Sequence, residues 1–284
     1  MKNIQPQDPF YMSAVRKAYR LVRGAYRQAR ALKNGLLNLV DAPIVVLVYH
    51  RVTELRSDPE MIAVSPQNFR SQMAYLKQGY RILRFEEDWS DVQGPAVVIT
   101  FDDGYADNAL QALPILEELA VPATFFVSTG LLDTGETFWW HRLEALLLRQ
   151  AECPIRFRLE DPRYGRCWET ANLAQRQLAY DALIQLMRKV DAERREAWLG
   201  QLLAWAGTGE QPDGLHRLMS EAELKRLAAS PWATIGAHRV THSALSALSK
   251  EQQEEEIFTS KKTLEERTGT GVAVFSYPSG RKQD

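Results

Sequence analysis

From Ile44 onward, short apolar runs alternate with amphipathic stretches. The runs predict buried strands at Ile44–Tyr49, 80–85, 96–101, 121–127, 233–237 and 272–277. Between the first two, 65–79 reads as a helix, with Pro66 in its first turn and Gly79 at its end. Residues 105–120 and 249–267 also read as helices. This alternation predicts an α/β fold of parallel strands joined by helical crossovers. The rhythm breaks between 131 and 232, where periodic runs at 138–150, 172–190 and 192–206 predict helices. A further helix starts at Ser220, capped with the help of Glu223. Such a stretch is far longer than one crossover, so it reads as a helical insertion or lid. The countable strands are fewer than the eight of a closed parallel barrel.

Ahead of that pattern, 12–40 predicts a helix with two stripes. Val15, Tyr19, Val22 and Tyr26 form one, and Arg16, Arg20, Arg23, Arg27 and Arg30 the other. Two readings stay open: a helix lying on an anionic membrane surface, or a solvated helix packing its tyrosines on the domain. Charge sharpens the division. Residues 1–41 hold eight Lys/Arg against two acids, whereas the rest holds 27 against 34. We therefore expect a basic helical segment at 1–41 and one domain over 42–284. Nucleic acid is not expected as a partner, since no aromatic-rich sheet or recognition motif accompanies the basic segment.

Apolar content of 45% and charged content of 25% are those of an ordinary globular protein, which argues against a disordered chain. No run is long enough to span a bilayer, and the first residues lack the apolar core of a secretory signal. The expected location is cytoplasmic, peripheral to the inner membrane if 12–40 binds it. Cys153 and Cys167 cannot build a disulfide framework; free thiols are expected, and a single bridge stays open.

The candidate chemistry sits at strand ends. Thr100-Phe101-Asp102-Asp103-Gly104 closes one apolar run, and Gly236-Ala237-His238-Arg239-Val240-Thr241-His242 closes another. Alone, the Asp pair reads as a helix cap and the histidines as solvated or core residues. Together, they give two carboxylates costly to bury without a cation and two imidazoles at ligand spacing, which points to a metal site.

With Phe275-Ser276-Tyr277-Pro278-Ser279-Gly280 added, the chain resembles the NodB-type polysaccharide deacetylases, the carbohydrate esterases of family four. The resemblance covers roughly 43–284. Val46-Leu47-Val48-Tyr49-His50-Arg51-Val52 is similar to the poly-N-acetylglucosamine deacetylase branch in particular. The resemblance implies a distorted (β/α) barrel with a helical insertion and metal-dependent removal of acetyl groups from an N-acetylated glycan. It implies Asp103, His238 and His242 as ligands of a divalent ion, most often zinc, and Asp102 as the base acting on water that the ion acidifies. It implies His50 as the acid for the leaving amine. Ser279, through its backbone N–H, with Tyr277 and Pro278, is placed at the oxyanion and substrate side.

The chain departs from the family pattern in two ways. Ser276 stands where many members carry an Arg that steadies the base, with Arg51, Arg239 and Arg281 as candidate substitutes. The chain ends soon after Gly280, without the later Asp-x-x-Asp-Trp and Leu-x-His segments. Either His50 covers the acid role and the barrel stays open at its C-terminal side, or the chain is a shortened product. Two further functions therefore stand beside deacetylation: a non-catalytic homologue that binds metal or glycan, and an amidohydrolase for a small amide or imide. Trp139, Trp140 and Trp168 read as sugar-stacking or core residues, with core favoured for at least one of the adjacent pair. His141 reads as facing the groove or, in preference, as a surface residue, His216 as part of a polar linker, and Glu254–Glu256 as a solvated helix face.

Overall fold

A computed structural model describes residues 43–207, 214–242 and 248–278. The 12–40 segment with its expected membrane contact, and Ser279, Gly280 and Arg281, lie outside the described residues.

Five parallel strands form the central sheet: β1 (Ile44–Tyr49), β4 (Arg81–Leu83), β5 (Ala96–Phe101), β6 (Ala123–Val127) and β9 (Ala233–Ala237). β1 pairs along the whole of β5, from Ile44 opposite Ala96 to Tyr49 opposite Phe101. The other edge of β5 is shared, with β4 against Ala96–Val98 and β6 against Thr100 and Phe101. β9 then pairs with β6 over its full length. Flanked on both edges, every residue of β5 is buried. β1 is different. It forms one end of the sheet, and Val45, Val46 and Val48 are 44%, 40% and 53% exposed, so its apolar run is not a buried strand among the described residues.

Helices cover the sheet. α1 (Pro66–Gly79) starts where predicted: the Ser65 hydroxyl accepts from the Asn68 N–H at 3.2 Å, and Pro66 needs no partner there. Phe69 and Met73 on its inner face are buried. Phe69 meets Phe101 edge-on, while Phe101 stacks on Phe125 at 4.6 Å, which ties α1, β5 and β6 into one core. The helix after β5 opens with a π-helical stretch at Asn108–Ala112 and continues as α2 (Leu113–Leu119). Such π turns are common near functional sites.

Between β6 and β9 lie α3 (Trp139–Leu147), α4 (Leu173–Met187), α5 (Ala192–Ala206) and α6 (Glu221–Ala228). The same stretch holds an antiparallel hairpin, β7 (Arg156–Leu159) with β8 (Arg166–Glu169), that the helical periodicity did not predict. α6 carries the predicted capping box between Ser220 and Glu223. After β9 comes α7 (Lys250–Thr268), also capped by a box, between Ser249 and Gln252. The expected strand at 272–277 is reduced to one parallel bridge, Ala237 opposite Phe275, held by two backbone hydrogen bonds. Two short strands, β2 (Arg51–Val52) and β3 (Ala63–Val64), pair beside the sheet. Among the described residues, no helix is long and apolar enough to cross a membrane.

Candidate metal centre

At the C-terminal end of β5, the Asp102 N–H still donates to the Tyr49 carbonyl at 2.9 Å, after which the chain turns out of the sheet. Asp103 has φ 77° and Gly104 has φ 85°, both left-handed. A Cβ on Gly104 would lie 2.8 Å from the Val127 side chain, so the turn needs glycine for space as well as for φ. This turn aims the Asp103 carboxylate across β6 towards β9. There His238 follows Ala237, its N–H bonded to the Val127 carbonyl at 3.1 Å, and a turn through Arg239 (φ 71°) brings His242 (φ 55°) back.

Oδ1 of Asp103 is 3.0 Å from Nε2 of His242 and 3.5 Å from Nε2 of His238. Donors at about 2.0–2.1 Å from one tetrahedral ion stand about 3.3 Å apart, and these separations bracket that value. The tautomer of His238 also fits. Its Nδ1–H donates to the Ser276 carbonyl at 3.0 Å, which leaves the Nε2 lone pair towards Asp103. Oδ1 of Asp103 is buried and makes no hydrogen bond. A buried carboxylate oxygen facing two ring nitrogens without a donated hydrogen bond is an arrangement that a cation satisfies. These residues could hold a divalent metal ion.

The neighbouring carboxyls respond differently to one environment. Burial would raise the Asp103 carboxyl, but the imidazoles of His242 and His238 hold it well below the usual range. At Asp102, burial prevails and pushes the carboxyl up, partly offset by His238 and His50 and reinforced by the charge of Asp103. Burial lowers His242 below the ordinary imidazole value despite Asp103. His238 goes the other way: burial opposes its imidazolium, yet the Asp103 and Asp102 carboxylates raise it, so an ion there competes with a proton. His50 is part-buried, and its charge acts on both Asp102 and Asp103.

A second group of ligand-type atoms, from His141, Glu144 and His216, lies nearby and is fully buried. His141 is 4% exposed and His216 2%, which corrects their readings as a surface residue and a linker residue. Here a cation is already built in. Arg51 donates to the Nδ1 of His216 at 2.6 Å and pairs with Asp107 through Nε and a terminal nitrogen at 2.9 and 2.8 Å. A guanidinium donating to Nδ1 leaves the proton of neutral His216 on Nε2, where a metal would need a lone pair. The Arg51 contact therefore argues against His216 as a metal ligand. The same pairing commits Arg51 to Asp107, away from Asp102, so it does not replace the missing third-motif Arg. Arg239 is buried next to the ligands, and Arg281 lies outside the described residues.

Trp140 donates to the Tyr105 hydroxyl at 3.2 Å, and its ring packs 5.1 Å from that of His242. It is a buried wall of the centre. Trp139 lies under the Arg195 guanidinium, and Trp168 stacks on Phe157 in the hairpin. Tyr277 is 55% exposed and Pro278 buried, beside the Ser276 carbonyl that orients His238; Ser279 lies outside the described residues. Glu256 is part-buried rather than fully solvated. It accepts hydrogen bonds from the loop between the two histidines. Asp107, Tyr105 and Glu256 carried no motif that would have singled them out.

Residues 90–284 match the family model described as polysaccharide deacetylase, and this span contains Asp102, Asp103, His238 and His242. The chain belongs to the polysaccharide deacetylase family. A curated relative, YxkH of Bacillus subtilis (strain 168), provisionally named a polysaccharide deacetylase, is 32% identical over 93 residues. That alignment covers 30% of this chain and 32% of YxkH, so the chain spans about a third of the relative's length. Among solved structures, the deacetylase PplD of Streptococcus pyogenes, in complex with acetate, superposes with a TM-score of 0.50 at 20% identity, over 85% of this chain and 76% of PplD. IcaB of Ammonifex degensii gives 0.50 at 20% identity, over 84% of this chain and 75% of IcaB. These structural likenesses show a shared fold, the distorted barrel of the NodB-type deacetylases, whose described part here is an open arc of parallel strands.

Proposed function

We propose that this family member hydrolyses the N-acetyl amide of an amino sugar in a polysaccharide, using a zinc ion held by Asp103, His238 and His242. The observation that carries this reading is the division of labour at the end of β5. Asp103 stays ionised among imidazoles, while Asp102 beside it has a raised proton affinity. A ligand should be a lasting anion, and a general base should be able to take up a proton.

A divalent ion at this position would polarise the acetyl carbonyl and lower the pKa of water. The chain's own residues supply the rest. Asp102 takes a proton from the attacking water as its oxygen bonds to the acetyl carbon. His50, whose charge reaches both carboxyls, gives a proton to the amine nitrogen as the C–N bond breaks. Acetic acid and the free amine result, with one proton left on Asp102 and one given up by His50, and return of the Asp102 proton to His50 through solvent resets the pair. Phe138 and Trp140, with rings 5.4 and 5.1 Å from His242, shield one side of the centre from water and fix that imidazole.

The test is acetate release from N-acetylglucosamine oligomers by the purified protein. Release that stops on chelation and returns with zinc supports the proposal. Zinc-loaded protein that releases acetate from no N-acetylated glycan contradicts it.

A further inference from the structure

The loop from His238 to His242 is held along its backbone from two sides. Its carbonyls are satisfied from the loop after β6: the Ser128 hydroxyl bonds that of His238 at 3.0 Å, Thr129 N–H that of Arg239 at 3.0 Å, and Gly130 N–H that of Val240 at 2.9 Å. Two of its amides are satisfied by one side chain. Oε2 of Glu256 accepts from Val240 N–H at 2.8 Å and Thr241 N–H at 2.9 Å, while Oε1 accepts from the Thr241 hydroxyl at 2.7 Å. Hydrogen bonds to an ionised acceptor are the strong kind.

The loop needs such a grip. Arg239 and His242 both sit at positive φ, a region that residues with a Cβ rarely occupy and that persists only where the surroundings enforce it. Glu256 is well placed to enforce it. It lies in α7, whose start is fixed by the Ser249–Gln252 capping box and whose inner residues Ser260 and Leu264 are buried. The side chain is part-buried, and both of its oxygens point at the ligand loop.

We propose that Glu256 is a positioning residue of the metal centre, holding the loop in the one conformation that returns Nε2 of His242 to Asp103. This rests on reading Asp103, His238 and His242 as the ligands. Glu256 acts through the backbone of residues 240 and 241, and its effect on the ion passes through His242 rather than His238. His238 is independently fixed, by its N–H to Val127 and its Nδ1 to Ser276.

The experiment is a double-mutant cycle on zinc affinity, measured by chelator competition on wild type, E256A, H242A and E256A/H242A. Loss of an outer-shell partner costs metal affinity by about ten- to a hundredfold, and that is the expected effect of E256A. E256Q, which keeps a carbonyl oxygen for the two amides, should lose less. In the H242A background, E256A should change the affinity by less than about twofold, because the ligand it positions is gone. Equal affinity in wild type and E256A overturns the proposal. So does an equal loss with and without His242, which would mark a general effect on folding. Should E256A fail to fold, E256Q carries the same cycle. Wild type that binds no zinc overturns the ligand reading itself, and the proposal with it.

Discussion

Burial raises the proton affinity of Asp102, while at Asp103 the same burial is overcome by the imidazoles of His242 and His238. The consequence for pH is direct. As a base, Asp102 works only when ionised, and its carboxyl titrates above its ordinary value of 3.8. Turnover is expected to fall as pH drops and Asp102 takes up its proton, and to be restored as pH rises. The same acid limb persisting without the Asp102 carboxylate would contradict the assignment. D102N should lose both the acid limb and about 10²–10⁴ in turnover, the usual contribution of a general base. H50A separates the other proton transfer: zinc content should match wild type while kcat falls by about 10²-fold or more. Wild-type turnover in H50A would remove His50 from the chemistry.

Elements at the right positions put these residues within reach, and their stability can be probed one at a time. In the capping box of α6, Ser220 accepts from Glu223 N–H, while the Glu223 carboxylate accepts from Ser220 N–H and from Arg217. S220A should cost about 1 kcal/mol in urea unfolding. Glu223 is held below its ordinary 4.5 by Arg217, so its contribution to stability is complete above pH 4.5 and is lost as pH falls through its lower folded value. E223Q should flatten that part of the acid-unfolding curve. In the β6–α3 loop, a Cβ on Gly130 would sit 2.6 Å from the Val240 carbonyl oxygen. G130A should therefore disturb the His238–His242 loop and weaken zinc binding. Strand 96–101 was legible because a strand with neighbours on both sides is buried along its length and reads as an apolar run. The β7–β8 hairpin was not, because its polar outward residues, such as Arg156, Arg158 and Glu169, give no continuous apolar run. The run at 44–49 has the apolar character of a buried strand but lies at the end of the described sheet, where burial depends on what stands beside it.

At the scale of the whole molecule, residues far apart in the chain converge at the C-terminal ends of three parallel strands. That convergence was legible because the ligand types stand beside apolar runs, at Asp102-Asp103 and at His238 and His242. The supports around them were not legible. The Ser276 carbonyl that fixes the His238 tautomer is a main-chain atom, which no residue type announces. Glu256 looks like any acid on a charged helix face until the loop beneath it is seen, and Trp140 acquires its role only by packing against His242. The long stretch between β6 and β9 thus supplies part of the centre's wall. The most direct test is a zinc-soaked crystal analysed by anomalous scattering. The account predicts one ion within about 2.0–2.2 Å of a carboxylate oxygen of Asp103 and of Nε2 of both His238 and His242. An ion bound instead among His141, Glu144 and His216, or imidazoles of His238 and His242 turned away from Asp103, would contradict it.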